Sequence, residues 1–142
     1  MGLFDGKPKT AVKYRVQKTE AEWRGVLSAA EFNVLRKHGT ERPGSSPLNK
    51  IKQAGVYKCA ACAWPLYSSK DKFESGTGWP SFTRPINDKA IGTTVDRSLF
   101  MVRTECHCAN CGGHQGHIFP DGPPPTGKRH CINGVAMTFQ PA

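Results

Sequence analysis

Six cysteines carry the clearest chemistry in this sequence of 142 residues. Four of them form two CxxC pairs, Cys59 with Cys62 and Cys108 with Cys111, separated by 45 residues. A CxxC turn holds two thiolates on one side of a tight knuckle, and two knuckles supply the sulfur ligands of a tetrahedral Zn²⁺ site. Such an ion would join two distant β-hairpins and close a long loop. Because a four-thiolate site leaves no open coordination position, the spacing predicts one structural zinc ion.

Two other arrangements use some of the same residues. Each CxxC pair alone could be a redox dithiol, although two such pairs in one chain more often form one metal site. The second pair could instead share an ion with His114 and His117. Only two residues separate these thiols from the histidines, and the first CxxC pair would then have no partner. The four-cysteine site is therefore the favoured arrangement.

Cys131 lies outside both pairs, in the segment KRHCINGV. Alternate side chains of a strand share a face, so Arg129, Cys131 and Asn133 would line one side together. A guanidinium two residues away lowers the pKa of a thiol by stabilising the thiolate, and an Asn amide can donate a hydrogen bond to a developing oxyanion. By itself this pattern leaves two interpretations open, a nucleophile or a small buried thiol.

Three further side chains belong to the same question. His114 and His117, in HQGH, are groups of the type that can donate a proton near neutral pH, but ordinary loop positions explain them equally well. Cys106 alternates with Cys108 in RTECHC. It reads as a buried strand thiol, and the alternative is a redox partner for Cys131.

Two short helices are predicted ahead of these residues. The segments TEAE at 19–22 and SAAE at 28–31 both read as capping boxes, which start helices over roughly 20–27 and 29–38. Apolar side chains give each helix one buried side. Gly39 ends the second helix, and GTERPGSSPLN is a loop by composition.

The composition changes to that of short strands after Gly55. The segments GVYKCAAC, SLFMVRTECHC and HCINGVAMTFQ are rich in Val, Phe, Tyr and Thr and partly alternate. Turn-rich loops lie between them, and the 15 Gly and 11 Pro favour a loop-rich β fold over a helical bundle. We expect one mainly antiparallel β-domain with a small helical part packed on it.

Charge and hydropathy restrict the function classes. The formal net charge of +9 would suit nucleic acid or acidic partners, but no basic run is dense, so a solvated basic surface is the simpler interpretation. An apolar run of about 18 residues is absent, which predicts no membrane span, and MGLFDGKPKT lacks the apolar core of a signal peptide. We expect a cytoplasmic protein with a basic, flexible segment over 1–16 and a single domain over 17–142.

Four segments in series resemble a known family. CAACAWPLYSS, KFESGTGWPSFTRPI, MVRTECHCANCGGHQGHIFPDGPPPTG and RHCIN follow one another in the order found in B-type methionine sulfoxide reductases, which act on methionine-R-sulfoxide. The N-terminal KTEAEWRGVLSAAEFNVLRKHGTERP is similar to that family too, so the resemblance covers roughly residues 17–140. It implies a mainly β fold of two antiparallel sheets in a barrel-like arrangement, with short N-terminal helices and a zinc ion on the four paired cysteines.

The resemblance also implies the roles of the site residues. Cys131 would be the nucleophile that attacks the sulfoxide sulfur and is left as a sulfenic acid. His117 or His114, with Asn133, would assist the sulfoxide oxygen. Arg129 and Asp121 would tune and orient the Cys131 group. Trp79 would form a wall for the methyl group of the substrate. The substrate would be oxidised methionine in proteins, and the reductant thioredoxin or another thiol. The oligomeric state is open, with a monomer as the default expectation.

Three positions depart from the family pattern. Many members carry a resolving cysteine in the form GCGWP, and here that position is Thr77. Cys106 could substitute for it, a zinc-binding cysteine could take part at the cost of the metal site, or an external thiol could reduce the sulfenic acid directly, which we favour. His130 stands where Tyr is common, and Gln115 replaces a frequent Leu between the histidines.

Two other function classes account for less of the sequence. A basic zinc-stapled module that binds nucleic acid through phosphate charge would explain the charge and the CxxC pairs. It leaves GWPSF, HQGHIFPDG and RHCIN unexplained, and the few aromatic residues are not interleaved with basic ones. A purely structural zinc protein would have no need of a free Cys131.

Overall fold

Two short helices lie near the start of the part of the chain that the structure describes. This computed structural model describes residues 14–142, without the side chain of Leu99. Helix α1 spans Glu20–Val26 and α2 spans Ala29–Lys37, each ending one residue before the predicted end. Both begin with the predicted capping box, in which the cap hydroxyl and a glutamate three residues later exchange hydrogen bonds with each other's backbone N–H.

The predicted flexible segment over 1–16 lies almost entirely outside the described residues. At its end, the backbone N–H of Val16 donates to the carbonyl oxygen of Asn110 over 3.0 Å, and the Val16 side chain packs against the core. Within residues 14–142, no helix has the length and apolar character needed to cross a membrane.

The described residues contain nine strands in two antiparallel sheets, which confirms the predicted mainly β fold. The strands are β1 Gly55–Cys59, β2 Pro65–Ser68, β3 Lys72–Phe73, β4 Ser81–Phe82, β5 Ile91–Asp96, β6 Arg103–Cys108, β7 His114–Phe119, β8 Arg129–Ile132 and β9 Met137–Pro141. The smaller sheet has the order β2-β1-β9, and the larger sheet has the order β3-β4-β8-β7-β6-β5.

The three predicted β segments all contain strands, but the last one divides. A 3₁₀ turn at Gly134–Ala136 interrupts HCINGVAMTFQ, so that β8 joins the larger sheet and β9 the smaller one. Strands β2, β3, β5 and β7 fall in stretches that the sequence pattern did not single out, and β4 lies within GTGWPSFTRPIND, which the pattern predicted to be a turn-rich loop. A further 3₁₀ turn at Pro47–Lys50 begins inside the predicted loop after α2 and ends one residue beyond it.

Aromatic side chains from both sheets form the centre of the core. Tyr67 of β2 stacks on Phe82 of β4 with ring centroids 4.4 Å apart, and Tyr57 of β1 meets the same Phe82 edge-on at 5.0 Å. All three are fully buried. Trp23 of α1 and Leu35 of α2 belong to the same apolar cluster. Burial of side chains of this size stabilises the fold by about 2–3 kcal/mol each, which fixes the two sheets and the helices against one another.

Candidate active site and metal centre

The larger sheet brings Cys131 and His117 opposite each other. In the antiparallel register, Cys131 on β8 pairs with His117 on β7 on one side and with Ser81 on β4 on the other. Glu105 on β6 pairs with His117 in the same way. Directly opposed residues of antiparallel neighbours project from the same face, with Cβ atoms about 4.5–5.5 Å apart. One row across four strands therefore presents a carboxylate, an imidazole and a thiol on one face of the sheet.

Cys131 and His117 line a cavity of about 230 Å³. The other lining residues are Thr40, Thr77, Trp79, Arg103, Gly116, Phe119, Arg129 and Asn133. The cavity thus collects five of the predicted site residues from three separate segments of the sequence. Two predicted residues, His114 and Asp121, are not part of its lining and contact those that are.

One loop residue that the sequence did not single out, Glu41, holds two sides of this cavity. The indole Nε1–H of Trp79 donates to the backbone oxygen of Glu41 over 3.0 Å, and the backbone N–H of Glu41 donates to Oδ1 of Asn133 over 2.9 Å. The Glu41 carboxylate accepts hydrogen bonds from the backbone N–H groups of Gly134 and Val135 over 2.7 and 2.9 Å. Glu41 therefore fixes Trp79 and the segment after Cys131 through its side chain and its own backbone N–H and C=O groups.

Asn133 retains one hydrogen-bond donor for a ligand. Its Nδ2 donates to the backbone oxygen of Gln115 over 3.0 Å, while Oδ1 accepts from Glu41. An amide nitrogen carries two N–H groups, so one of them remains after these contacts. The side chain is held at both ends, which orients that remaining donor.

The thiol of Cys131 is subject to opposing influences. Burial raises its pKa, and the positive charge of Arg129 together with hydrogen bonds from Thr77 and Arg129 opposes that rise. The pKa of Cys131 is raised overall. Arg129 does lower this pKa, as the sequence predicted, but desolvation of the buried thiol has the larger effect. The resting thiol keeps its proton at neutral pH and needs a base to form the thiolate.

Arg129 is held in place by Asp121 and Phe119. Its Nε and Nη2 donate to the two carboxylate oxygens of Asp121 over 2.9 and 3.2 Å, and its guanidinium carbon lies 4.4 Å from the centre of the Phe119 ring. A two-point contact of this kind fixes the plane of the guanidinium. Asp121 is itself largely exposed, so it orients Arg129 from outside the cavity.

His117 is oriented by an acidic residue at the end of β5. Its Nε2 lies 2.8 Å from Oδ2 of Asp96, which also accepts a hydrogen bond from Arg103 over 3.0 Å. Burial lowers the pKa of His117, with the hydrogen bond to Asp96 acting in the opposite direction. A neutral imidazole with Nε2–H on Asp96 leaves Nδ1 as a proton acceptor. The sequence pattern missed Asp96 because IGTTVD was not recognised as a strand ending opposite Arg103.

His114 lies behind His117, away from Cys131. Its Nδ1 is 2.8 Å from Oε2 of Glu105, its ring centre is 5.5 Å from that of His117, and the side chain is buried. The other carboxylate oxygen of Glu105 accepts from Thr94 over 2.7 Å and lies 3.0 Å from Nδ1 of His107. Of the two predicted histidines, only His117 faces the cavity that holds Cys131.

Thr77 lines the cavity, and its hydroxyl group is the first of three that are joined by hydrogen bonds. Its Oγ1 lies 2.8 Å from Oγ of Ser75, which accepts a hydrogen bond of the same length from Ser81. Since Ser81 pairs with Cys131 in the sheet, these hydrogen bonds connect Thr77 to the strand beside β8. A side chain at position 77 is therefore held next to the Cys131 thiol.

Cys106 is separated from Cys131 by the sheet itself. Its strand partner on β7 is Gly116, which pairs in turn with Ile132 on β8, whereas Cys131 belongs to the neighbouring row and the opposite face. Cys106 is fully buried in the core that contains Tyr67, and this burial raises the pKa of its thiol. This position matches the interpretation of Cys106 as a buried strand thiol.

The four paired cysteines meet at one end of the molecule. Cys59 and Cys62 lie in the β1–β2 hairpin, and Cys108 and Cys111 lie in the β6–β7 hairpin. The sulfur atoms of Cys59 and Cys111 are 3.7 Å apart and those of Cys62 and Cys108 are 3.6 Å apart. All four ligand atoms lie within 4.8 Å of one another, so that they could hold one metal ion.

The two remaining departures from the family pattern occupy buried positions. Gln115 is fully buried, and its Nε2 donates to the sulfur of Cys59 over 3.6 Å and to the Ala136 carbonyl over 3.4 Å. His130 is 3% exposed, with its Nδ1 2.9 Å from the hydroxyl of Tyr67. Burial lowers the pKa of His130 to about 4. His130 therefore belongs to the core and lies on the face opposite Cys131.

Comparisons with known proteins show which family this chain is similar to. The model of the SelR domain family matches residues 27–141. A peptide methionine sulfoxide reductase MsrB of Agrobacterium fabrum is 51% identical over 127 residues, covering 89% of this chain and 94% of the relative. Proteins with the same name from Methanosarcina barkeri and Methylibium petroleiphilum are 53% identical over 125 residues and 47% identical over 141 residues. These matches cover 88% of both chains and 99% of both chains, respectively.

A match of this extent includes every segment that supplies the cavity and the four-cysteine cluster. It does not favour the alternative of a nucleic-acid-binding module. The chain belongs to the MsrB family of peptide methionine sulfoxide reductases, whose shared unit is the SelR domain.

Proposed function

We propose that the chain reduces methionine-R-sulfoxide in oxidised proteins to methionine, with Cys131 as the nucleophile. The observation that carries this proposal is the pairing of Cys131 with His117 across β7 and β8, inside a cavity that Trp79 and Asn133 also line. A sulfoxide sulfur is electrophilic only when its oxygen is protonated or strongly hydrogen-bonded. A thiol, a proton carrier and an amide donor around one cavity meet that requirement.

Proton transfer between Cys131 and His117 starts the reaction. Both groups are neutral at rest, because burial raises the pKa of the thiol and lowers the pKa of the imidazole. His117 takes the thiol proton, and Asp96, at 2.8 Å from Nε2, stabilises the imidazolium that results. His114 and Glu105 support the His117 ring from behind.

The thiolate of Cys131 then attacks the sulfoxide sulfur while the oxygen is protonated. His117 returns the proton to this oxygen, and the spare N–H of Asn133 donates a second hydrogen bond to it. The S–O bond of the substrate breaks, and the hydroxyl ends on the Cys131 sulfur. The substrate sulfur gains two electrons and the Cys131 sulfur loses two, giving methionine and a cysteine sulfenic acid.

Trp79 and Phe119 supply the apolar surface of the cavity. An indole held by its Nε1–H on Glu41 offers a fixed wall against which the methyl group of the substrate packs. Arg129, fixed by Asp121, contributes positive charge beside the developing thiolate. The proposed step uses side chains of one chain only, and we propose that the enzyme acts as a monomer.

An external thiol completes the cycle. Thr77 provides no resolving sulfur beside Cys131, and Cys106 lies on the other face of the sheet. One thiol of thioredoxin or a similar reductant condenses with the sulfenic acid and releases water, and a second thiol reduces the mixed disulfide. The balance is one disulfide formed for each sulfoxide reduced.

The four paired cysteines fit a structural zinc ion. Zn–S bonds of about 2.3 Å place the sulfur atoms of a tetrahedron about 3.8 Å apart, close to the two short separations in this cluster. Backbone N–H groups of Asn110 and Gly113, and side-chain N–H groups of Asn110 and Gln115, point at these sulfurs. Bound there, Zn²⁺ would join the β1–β2 and β6–β7 hairpins without an open position for substrate.

The test uses the two sulfoxide epimers separately. The chain is mixed with dabsyl-labelled methionine-R-sulfoxide or methionine-S-sulfoxide and dithiothreitol, and the reduced product is measured. We expect loss of the R epimer only, and no activity in Cys131→Ser with its metal content unchanged. Consumption of neither epimer, or full activity in Cys131→Ser, would contradict the proposal.

A further inference from the structure

A second cavity adjoins the Cys131 cavity behind His117. It has a volume of about 450 Å³ and shares Thr40, Arg103 and His117 with the first. Three other residues in its lining, His38, Glu105 and His114, each offer one ligand atom, and these atoms lie within 4.8 Å of one another. The reaction proposed above places no ligand at this position, although His114 and Glu105 support the His117 ring.

The buried half of this cluster has an incomplete hydrogen-bond network. His114 is 2% exposed and Glu105 is 4% exposed, and they contact each other through Nδ1 and Oε2. Nε2 of His114 is buried but has no hydrogen-bond partner among the described residues. A buried polar atom without a partner costs about 1–3 kcal/mol. Nδ1, the nitrogen beside Oε2 of Glu105, is the one that an ion shared with this carboxylate would bind, and the unpaired Nε2 is a separate cost in the resting cluster.

His38 brings a second imidazole to the same point. It follows the last residue of α2 with a left-handed backbone, φ 58°, and its ring centre is 5.0 Å from that of His114. The turn is fixed by the next residue, since Gly39 donates to the carbonyl of Asn33 and a Cβ at Gly39 would collide with that side chain. The end of the helix therefore holds His38 over the cluster while leaving it open to solvent.

We infer that His38, Glu105 and His114 form a second metal site, which binds one divalent transition-metal ion. Two imidazoles and one carboxylate suit Zn²⁺, Ni²⁺, Co²⁺ or Fe²⁺, whereas Mg²⁺ and Ca²⁺ prefer all-oxygen sites. Three protein ligands leave coordination positions for water in the cavity. The carboxylate of Asp96 in the same lining offsets part of the charge that Arg97 and Arg103 place there.

An ion at this position would depress reductase turnover, a consequence that rests on the proposed function. The ring centres of His114 and His117 are 5.5 Å apart and His117 lines both cavities, so an ion with its bound water would occupy the space beside the group assigned to proton transfer. The binding claim itself does not depend on catalysis. It can therefore fail or succeed separately from the assignment of Cys131.

Metal binding is tested on the full chain with zinc in the four-cysteine site and the change Cys131→Ser, which removes the accessible thiol. Ni²⁺ is titrated calorimetrically while released zinc is measured. We expect one Ni²⁺ per chain without zinc release, and at least tenfold weaker binding in His38→Asn. Asn tolerates the left-handed backbone, so this change removes the imidazole and keeps the turn. The control Lys37→Ala, beside it on α2, should bind as the parent does.

Any one of three results would overturn the site. They are no binding of Ni²⁺, equal Ni²⁺ affinity in His38→Asn and the parent, and Ni²⁺ uptake that occurs only as zinc is released. The functional arm uses one turnover of the unaltered chain without reductant, since dithiols chelate Ni²⁺. Ni²⁺ should slow methionine formation at least tenfold, and His38→Asn should restore the rate at the same Ni²⁺ concentration. An unchanged rate at saturating Ni²⁺ would overturn the inhibitory role.

Discussion

The indole Nε1–H of Trp79 donates to the backbone oxygen of Glu41 across 3.0 Å, which joins the wall of the cavity to the loop after α2. The same residue accepts two backbone hydrogen bonds from the turn after Cys131 through its carboxylate. Glu41, which does not itself line the cavity, therefore positions both the proposed substrate wall and the turn after the proposed nucleophile.

Glu41→Gln should weaken this arrangement. A glutamine side chain has one oxygen acceptor, so that one of the two backbone N–H groups loses its partner, at a cost of about 1–3 kcal/mol. We expect a lower midpoint of urea unfolding and a KM for the R-sulfoxide raised several-fold. The matched control is Glu74→Gln at an exposed position. Equal KM and equal stability in the two variants would contradict the role of Glu41.

Thr77→Cys should create a resolving thiol. Thr77 and Cys131 line the same cavity, so we expect a sulfur at position 77 to reach the sulfenic acid. After one turnover without reductant, the variant should lose two free thiols and the parent one. Thr104→Cys, exposed on β6 outside the cavity, is the control and should lose one. The prediction fails if both variants lose the same number.

Cys106→Ala should leave thioredoxin-supported turnover within about twofold of the parent, since Cys106 and Cys131 lie on opposite faces of the sheet. Steady-state rates with thioredoxin and its reductase provide the measurement. Some loss of stability is expected from the small cavity left in the core. Collapse of thioredoxin-supported turnover, with one dithiothreitol-driven cycle preserved, would identify Cys106 as the resolving thiol instead.

Stability should fall in mild acid because of His130. Its pKa is lowered to about 4 in the folded chain from an ordinary 6.5, so the unfolded chain binds the extra proton first as the pH falls. The stability that His130 contributes is present above pH 6.5 and is lost progressively as the pH falls through 4. Between pH 7.5 and pH 5 this amounts to about 2 kcal/mol.

His130→Gln removes this titration while its amide can still bond the Tyr67 hydroxyl. Urea unfolding at the two pH values should show a smaller loss of stability in the variant than in the parent. An identical loss in both proteins would mean that other groups account for the acid sensitivity.

The sequence was sufficient to predict those elements of the fold that depend on contacts between residues close together in the chain. The capping boxes at Thr19 and Ser28 start both helices, because the bonds they make span three residues. The CxxC spacing likewise indicated the four-cysteine cluster, since each knuckle is a local turn. The strand alternation of Arg129, Cys131 and Asn133 correctly brought these three side chains to one cavity.

The residues that the sequence did not reveal act across long separations. Glu41 meets Asn133 and Gly134 over more than 90 positions, and Asp96 meets His117 over 21. Neither carries a local pattern, because a single carboxylate in a loop or at a strand end looks like a solvated surface group. The different environments of His114 and His117 follow from strand register, which the spacing of HQGH alone does not give.

The most direct test of the account is a single turnover without reductant, followed by trapping of the oxidised cysteine with dimedone and peptide mapping. We predict one methionine formed per chain from the R epimer, with the adduct on the peptide that contains Cys131. His117→Asn should slow this step by about 10²–10⁴-fold, the range typical of a lost general acid–base group. An adduct on Cys106 or on the paired cysteines, or methionine formed at the parent rate by Cys131→Ser, would contradict the central claim.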